Sequence, residues 1–208
     1  IEEREKKGSF TGIEDFCRRV RLFDEDAESL VSVGALDGIS GGLNRPEQLM
    51  RILSINSQKN GKTGQTQLFD ECCSASPKRR DLSLYDKRKN EFKRLGYLCD
   101  THPLFFWEEQ IKKKTRVLAK DIDKHVGKTI SMIGWLVTVK EVITIKGQPM
   151  EFVSFEDESA IFETVFFPES FKRFSPMLDE RVPFVLQGEV DNDHGAISLH
   201  VDSMRKLT

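Results

Sequence analysis

The side chains that most often do covalent or metal chemistry are sparse in this chain and badly spaced for it. Cys17, Cys72, Cys73 and Cys99 contain no C-x-x-C pair, and adjacent cysteines cannot easily ligate one metal together. Reduced thiols in a cytosolic protein are the expectation. His102, His125, His194 and His200 show no H-x-x-x-H or H-E-x-x-H spacing. His102 precedes Pro103, where a cap or turn is the expected role. No spaced aspartate pair falls on strands so as to hold two Mg²⁺ ions. The residues that stand out are suited to recognition instead. Gln65, Leu68 and Phe69 sit in a stretch of Ser, Asn, Lys, Gly, Thr and Gln that has no core to bury. Two adjacent large apolar residues are out of place there. Either they fold back on a neighbouring domain, or the Gln hydrogen-bonds and the Leu-Phe pair fills a partner's pocket.

Composition limits what surrounds these residues. With 208 residues, 38% apolar and 32% charged, the chain can form one large or two small domains with real cores. No uninterrupted apolar run of about 18 residues occurs, so no bilayer-spanning helix and no membrane partner is expected. The sequence opens at Ile1 in a charged segment, with no initiator Met and no apolar signal region. It reads as a fragment or processed product of an intracellular, cytoplasmic protein. Residues 1–114 carry 21 Lys+Arg against 19 Asp+Glu, and residues 115–208 carry 11 against 15. Neither half has the basic excess that grips phosphates by charge alone, so nucleic-acid contact must come from local patches or backbone amides.

Residues 1–55 read as helical. A charged helix is stopped by Gly8; Thr11 can cap the next, with Glu14 completing a capping box. Ile13, Phe16, Val20 and Phe23 fall on its apolar face. A helix from Asp24 to Val33 buries Ala27, Leu30 and Val31, and Gly34 is available for a left-handed turn. Asn44 caps a helix reaching Ile55, with Pro46 in the first turn, Glu47 completing the box, and Leu49, Ile52 and Leu53 inward. The glycine-rich turn from Asp37 to Leu43 feeds that helix. It either offers backbone N–H groups to a phosphate or is a tight turn touching only protein. Residues 56–80 read as a flexible linker ending in Pro77-Lys78-Arg79-Arg80, a basic run expected to be solvated surface. Residues 81–116 read as a helical connector. There Ser83 caps a helix through Leu95, with Leu84, Phe92 and Leu95 apolar, and Pro103 to Trp107 must pack on something.

From 117 the period changes to two. A long strand from Ile130, a turn at Lys146–Pro149, strands at 150–155 and 160–167, a helix from Pro168, and strands at 182–190 and 196–204 are expected. Three meander strands, a helix and two strands is the order of an OB-fold, a five-stranded Greek-key barrel. Gly134, in the middle of the first strand, allows the curvature that closure needs. OB barrels commonly hold single strands on strands two and three with aromatics and cations. Phe152, Lys140 and Lys146 are the single-strand candidates, with partly buried packing the other reading of Phe152. The acidic run Glu156-Asp157-Glu158 beside that face is expected to repel phosphate.

Four stretches in order resemble the C-terminal part of the bacterial DNA polymerase III alpha subunit, the replicative family C polymerase. They are Glu28–Asp37 followed by Asn44-Arg45; Gln65-Thr66-Gln67-Leu68-Phe69; Glu91–Leu98 with His102-Pro103-Leu104; and the OB-fold. The resemblance implies an α+β multidomain chain, an all-α helix-hairpin-helix region followed by the five-stranded OB-fold barrel. Its parts would be a DNA-binding helix-hairpin-helix region at 1–55 with its first hairpin cut short, a clamp-binding linker at 56–80, a connector at 81–116 and the OB-fold at 117–208. It places Gly38, Gly41, Gly42 and Arg45 near duplex phosphate, and Gln65, Leu68 and Phe69 in the ring-shaped sliding clamp. The barrel would meet single-stranded template or serve other replisome subunits. The polymerase carboxylates and their Mg²⁺ belong to upstream domains of that family, so no cofactor is expected in this stretch. The alternative is a free-standing OB-fold nucleic-acid-binding or anticodon-type RNA-binding module.

Overall fold

The computed structural model describes residues 2–59 and 79–208, which divide into two compact units, 1–99 and 100–208. The first contains α1 (Glu2–Lys7), α2 (Ile13–Arg19), α3 (Asp24–Ser32), α4 (Arg45–Lys59) and α5 (Leu84–Leu95), with a small core between α2, α3 and α4. Ile13, Cys17, Ala27, Val31, Leu36 and Ile52 are its buried members, with Phe16, Leu30 and Leu49 packed against them. Gly12, not Thr11, stands at the start of α2; the Thr11 N–H donates to Asp15 Oδ2 at 3.2 Å instead. The apolar face also differs from the expected one. The helix ends at Arg19 and Val20 is extended, so helical spacing does not carry on to Phe23, which is 65% exposed. Cys17 takes the inward place. Arg19 latches α1 to α2: its guanidinium donates to the Glu3 and Gly8 carbonyls (2.6 and 2.9 Å) and lies over the Phe10 ring.

Helix α4 runs four residues past 55, so the residues from Asn56 to Lys59 expected in the linker are helical. Ser83 caps α5 by accepting the Asp86 N–H at 3.1 Å, and Gly96, left-handed at φ +80°, closes it. The buried residue of α5 is nevertheless Glu91, which accepts the Cys99 N–H at 3.0 Å, whereas Leu84 and Leu95 are exposed. A polar side chain holding the chain reversal after the helix has taken the place expected for an apolar one.

The second unit begins with a 3₁₀ turn, Pro103–Trp107, followed by α6 (Glu108–Lys112). His102 caps the turn, its Nδ1 accepting the Leu104 N–H at 3.1 Å. The stretch 81–116 is therefore divided between the units. Leu104, Trp107 and Ile111 pack with Ile133, Val185 and Leu207, forming a collar on the outside of the barrel. That collar explains why both Met132 and Ile133 are fully buried on consecutive, oppositely directed positions.

The barrel consists of β1 (Thr129–Ile143), β2 (Pro149–Glu156), β3 (Ile161–Phe166), β4 (Phe184–Asp193) and β5 (Ala196–Lys206), with α7 (Pro168–Phe174) between β3 and β4. It closes in the order β1-β2-β3-β5-β4, with β3 and β5 parallel and every other pair antiparallel. This is the OB-fold topology. One long strand serves two neighbours: 129–134 pairs with β4 and 135–143 with β2. At the crossing, a Cβ on Gly134 would stand 2.7 Å from Phe155 Cβ and 2.9 Å from the tip of Phe162. Only glycine lets β1 bend over those rings, which with Val153, Phe166, Phe184, Leu186 and Leu199 fill the interior.

Candidate nucleic-acid interface

In the first unit the turn between α3 and α4 is built by side chains from both helices. Gly34 ends α3 at φ +76°, and a Cβ there would meet Arg45 Nη2 at 2.2 Å. Arg45 runs under this turn, donating to the Ser32 carbonyl (3.0 Å) and, through Nε and Nη2, to Asp37 Oδ2 (3.2 and 3.0 Å). Its side chain is only 12% exposed. The other Asp37 oxygen accepts the Gln48 amide at 2.9 Å, and the same amide reaches the Leu43 carbonyl at 3.0 Å. Gln48 is fully buried. Sequence reasoning passed over it because a glutamine in an amphipathic helix ordinarily marks the wet face.

Asn44 and Glu47 form the expected reciprocal box, each side chain accepting the other's N–H at 3.0 Å. Pro46 has no N–H, and the Gln48 N–H goes to the Asn44 carbonyl. The helix end is thus largely satisfied by its own residues. What stays open is the loop. Gly38, Gly41 and Gly42 are exposed, Gly41 and Gly42 have φ +63° and +90°, and among the described residues the Gly41 N–H has no acceptor. The structure therefore groups the three glycines at one exposed turn and puts Arg45 beneath it, in an ion pair.

In the second unit Lys140 lies directly across from Phe152, which is followed across the sheet by Val165 on β3 and His200 on β5. Phe152 is 42% exposed. The Phe167 ring meets the His200 imidazole edge to face at 4.9 Å, so a second aromatic shares this face; its signal was a Phe-Phe pair at a strand end, one ring inward and the next outward. Lys146 is exposed in the β1–β2 turn, where Gly147 takes φ +74°.

The acidic run has a different role from the repulsive one expected. Asp157 is buried, and its oxygens accept the N–H groups of Ala119 (2.8 Å), Ser159 (2.7 Å) and Ala160 (3.1 Å). Glu158 pairs with Arg116; burial works to raise its carboxyl, but the Arg116 bonds outweigh that and hold it below the usual range. Glu156 stands 3.3 Å from His102 Nε2. The run ties the segment before β1 to the β2–β3 turn. Carboxylates on the face itself come from Glu163, held by the Ser154 hydroxyl at 2.8 Å, and from Asp191 beside His200.

Gln65, Leu68 and Phe69 lie outside the described residues, as do Cys72 and Cys73. Among the described residues no group of three or more His, Cys, Asp or Glu side chains is placed to hold a metal, and no helix is long and apolar enough to cross a membrane.

Comparison with known proteins agrees with both halves. Residues 1–48 match a helix-hairpin-helix motif, and residues 130–207 match an OB-fold nucleic acid binding domain. The DNA polymerase III subunit alpha of Bacillus subtilis is 31% identical over 190 residues, covering 86% of this chain and 17% of that protein. The same subunit of Pseudomonas fluorescens is 24% identical over 100% of this chain and 20% of its own length. An error-prone DNA polymerase of Rhodopirellula baltica is 23% identical over 100% of this chain and 18% of its own. The chain spans about a fifth of the length of these relatives. Helical hairpin, barrel and similarity along this chain together match it to the C-terminal part of the bacterial DNA polymerase III alpha subunit.

Proposed function

We propose that this chain is the part of a replicative polymerase that holds DNA and tethers the enzyme rather than the part that joins nucleotides. The glycine turn between α3 and α4 grips duplex phosphate with backbone amides, and the barrel presents Phe152, Lys140 and Lys146 to single-stranded template. Gln65, Leu68 and Phe69 plug into a sliding clamp, which raises the effective concentration of the enzyme at the primer end. The observation that carries the DNA-holding reading is the exposed Gly38–Gly42 turn with its open Gly41 N–H, held in shape by a buried network. The clamp reading rests on the sequence motif. Mg²⁺ and the polymerase carboxylates would belong to other domains of the parent protein.

Two titrations test this. The chain is expected to bind labelled primer–template DNA more tightly than tRNA of equal length; the reverse order favours the anticodon-type module and overturns the reading. Against labelled clamp, a Leu68→Ala/Phe69→Ala chain is expected to lose at least about tenfold in affinity, since a few buried anchors dominate such contacts. Equal affinity of the two chains sinks the clamp assignment.

A further inference from the structure

We infer that Arg79 and Arg80, not Arg45, are the cations that serve the duplex-binding turn, an inference that rests on the proposed function. Arg45 is spent: its guanidinium is nearly buried against Asp37 and the Ser32 carbonyl, and it shapes the turn from beneath. The loop alone offers a phosphate only neutral amides. Yet the chain returns to this spot from 35 positions away. The Asn44 side-chain amide donates to the Arg79 carbonyl at 2.7 Å, and the Arg79 N–H donates to Glu47 Oε1 at 3.2 Å. The same two side chains that cap α4 therefore bind the backbone of Arg79 at the mouth of the glycine turn.

This anchoring uses only backbone atoms of Arg79, which leaves its side chain to project elsewhere. Both Arg79 and Arg80 are exposed, and among the described residues neither guanidinium has a carboxylate partner. The acids nearby are already engaged. Glu47 holds the Asn44 and Arg79 N–H groups, and Lys87 sits 2.6 Å from Asp81, holding its carboxyl below the ordinary range. Two guanidiniums with no carboxylate partner among the described residues, beside the open Gly41 N–H, fit the phosphodiester backbone of a duplex: the cations neutralise and the amide orients. The Asn44–Glu47 box thus has two tasks, capping the start of a helix and delivering a cationic pair.

The experiment is a salt titration of duplex binding by the full chain. A phosphate neutralised by a cation contributes about 0.9 to the slope of log Kd against log salt, whereas a neutral amide contributes nothing of that kind. The Arg79→Gln/Arg80→Gln chain, whose anchoring backbone bonds are untouched, is expected to keep its melting temperature. Its slope should fall by about 1.8, and its Kd at about 0.1 M salt should weaken at least tenfold. Arg45→Met is expected to lower the melting temperature and leave the slope unchanged. A wild-type chain with no salt-dependent duplex binding overturns the proposed function and this inference with it. Wild-type binding whose slope survives the double substitution, or drops with Arg45→Met instead, overturns the inference alone.

Discussion

Replacing Asp157 by alanine should lower the unfolding temperature of the barrel by more than its place in an acidic surface run suggests, and the size of the effect can be worked from its contacts. Oδ2 accepts the N–H of Ala119, a residue only 4% exposed, while Oδ1 accepts two turn N–H groups and the Ser159 hydroxyl at 2.6 Å. Without the carboxylate, the Ala119 N–H is left buried and unpaired, at about 1–3 kcal/mol. The two turn amides reach water more easily and lose about 0.5–1 kcal/mol each. The total is about 3 kcal/mol, which for a unit of roughly this size lowers Tm by about 10–15 °C. Asp157→Asn keeps an oxygen for the turn but presents an NH₂ group to the Ala119 N–H, and should fall between the two. Thermal unfolding of the full chain, followed by near-UV circular dichroism, measures this. A drop of less than about 3 °C for the alanine chain would refute the reasoning. So would tighter binding of single-stranded DNA by the folded variant, because the Asp157 charge is already countered by three backbone N–H groups and by Arg116 at 4.0 Å.

Two further outcomes test other parts of the barrel. Burial, reinforced by the nearby Glu141 and Asp179 carboxylates and opposed by the Ser175 hydroxyl, pushes the Glu151 carboxyl above its ordinary value of 4.5. The folded state therefore holds this proton more tightly than the unfolded chain, and stability from this group is complete below 4.5 and lost as pH rises through the folded-state value. Glu151→Gln should be more stable than wild type at pH 7.5, with the gain shrinking toward pH 4.5; an equal difference at pH 5 and pH 8 in urea denaturation contradicts it. Phe152→Ala should weaken single-stranded DNA binding by about 1–3 kcal/mol, the contribution of one stacked base, without changing duplex affinity at the helical hairpin. Unchanged anisotropy curves for oligothymidine would remove Phe152 from the face.

What could be read from residue order was whatever rests on period and local chemistry. Alternation from Ile130 onward, the turn residues at Lys146–Pro149 and the helix-starting Pro168 were enough for the barrel. The Asn44–Glu47 box was visible because its two members lie three residues apart and bond to each other. The residues missed are those whose partners are distant in sequence. Arg19 reaches back to Glu3, Glu91 forward to Cys99, Gln48 to Asp37, and Asp157 to Ala119. In each case a polar side chain occupies an interior place, which a hydrophobic pattern reads as surface. Arg79 and Arg80 are exposed, as expected of a basic run, but nothing in their own neighbourhood says that Asn44 and Glu47 will hold the Arg79 backbone.

The barrel's parallel seam sets how it opens and closes. β3 and β5 meet over three residue pairs, Glu163 with Ser198, Thr164 with Leu199 and Val165 with His200, whereas β1 and β4, also distant in sequence, meet over six. The β1-β2-β3 meander and the β4–β5 hairpin can form from local contacts; joining them requires closing a loop of some thirty residues before any seam bond repays the entropy. Breaking the ring there forfeits the fewest pairs, so the seam is the line along which the cylinder splits first. Val165 and His200 sit on that line, next to Phe152. A strand of nucleic acid lying across this row would bridge both lips of the seam, and its binding would act as a staple on the closed barrel.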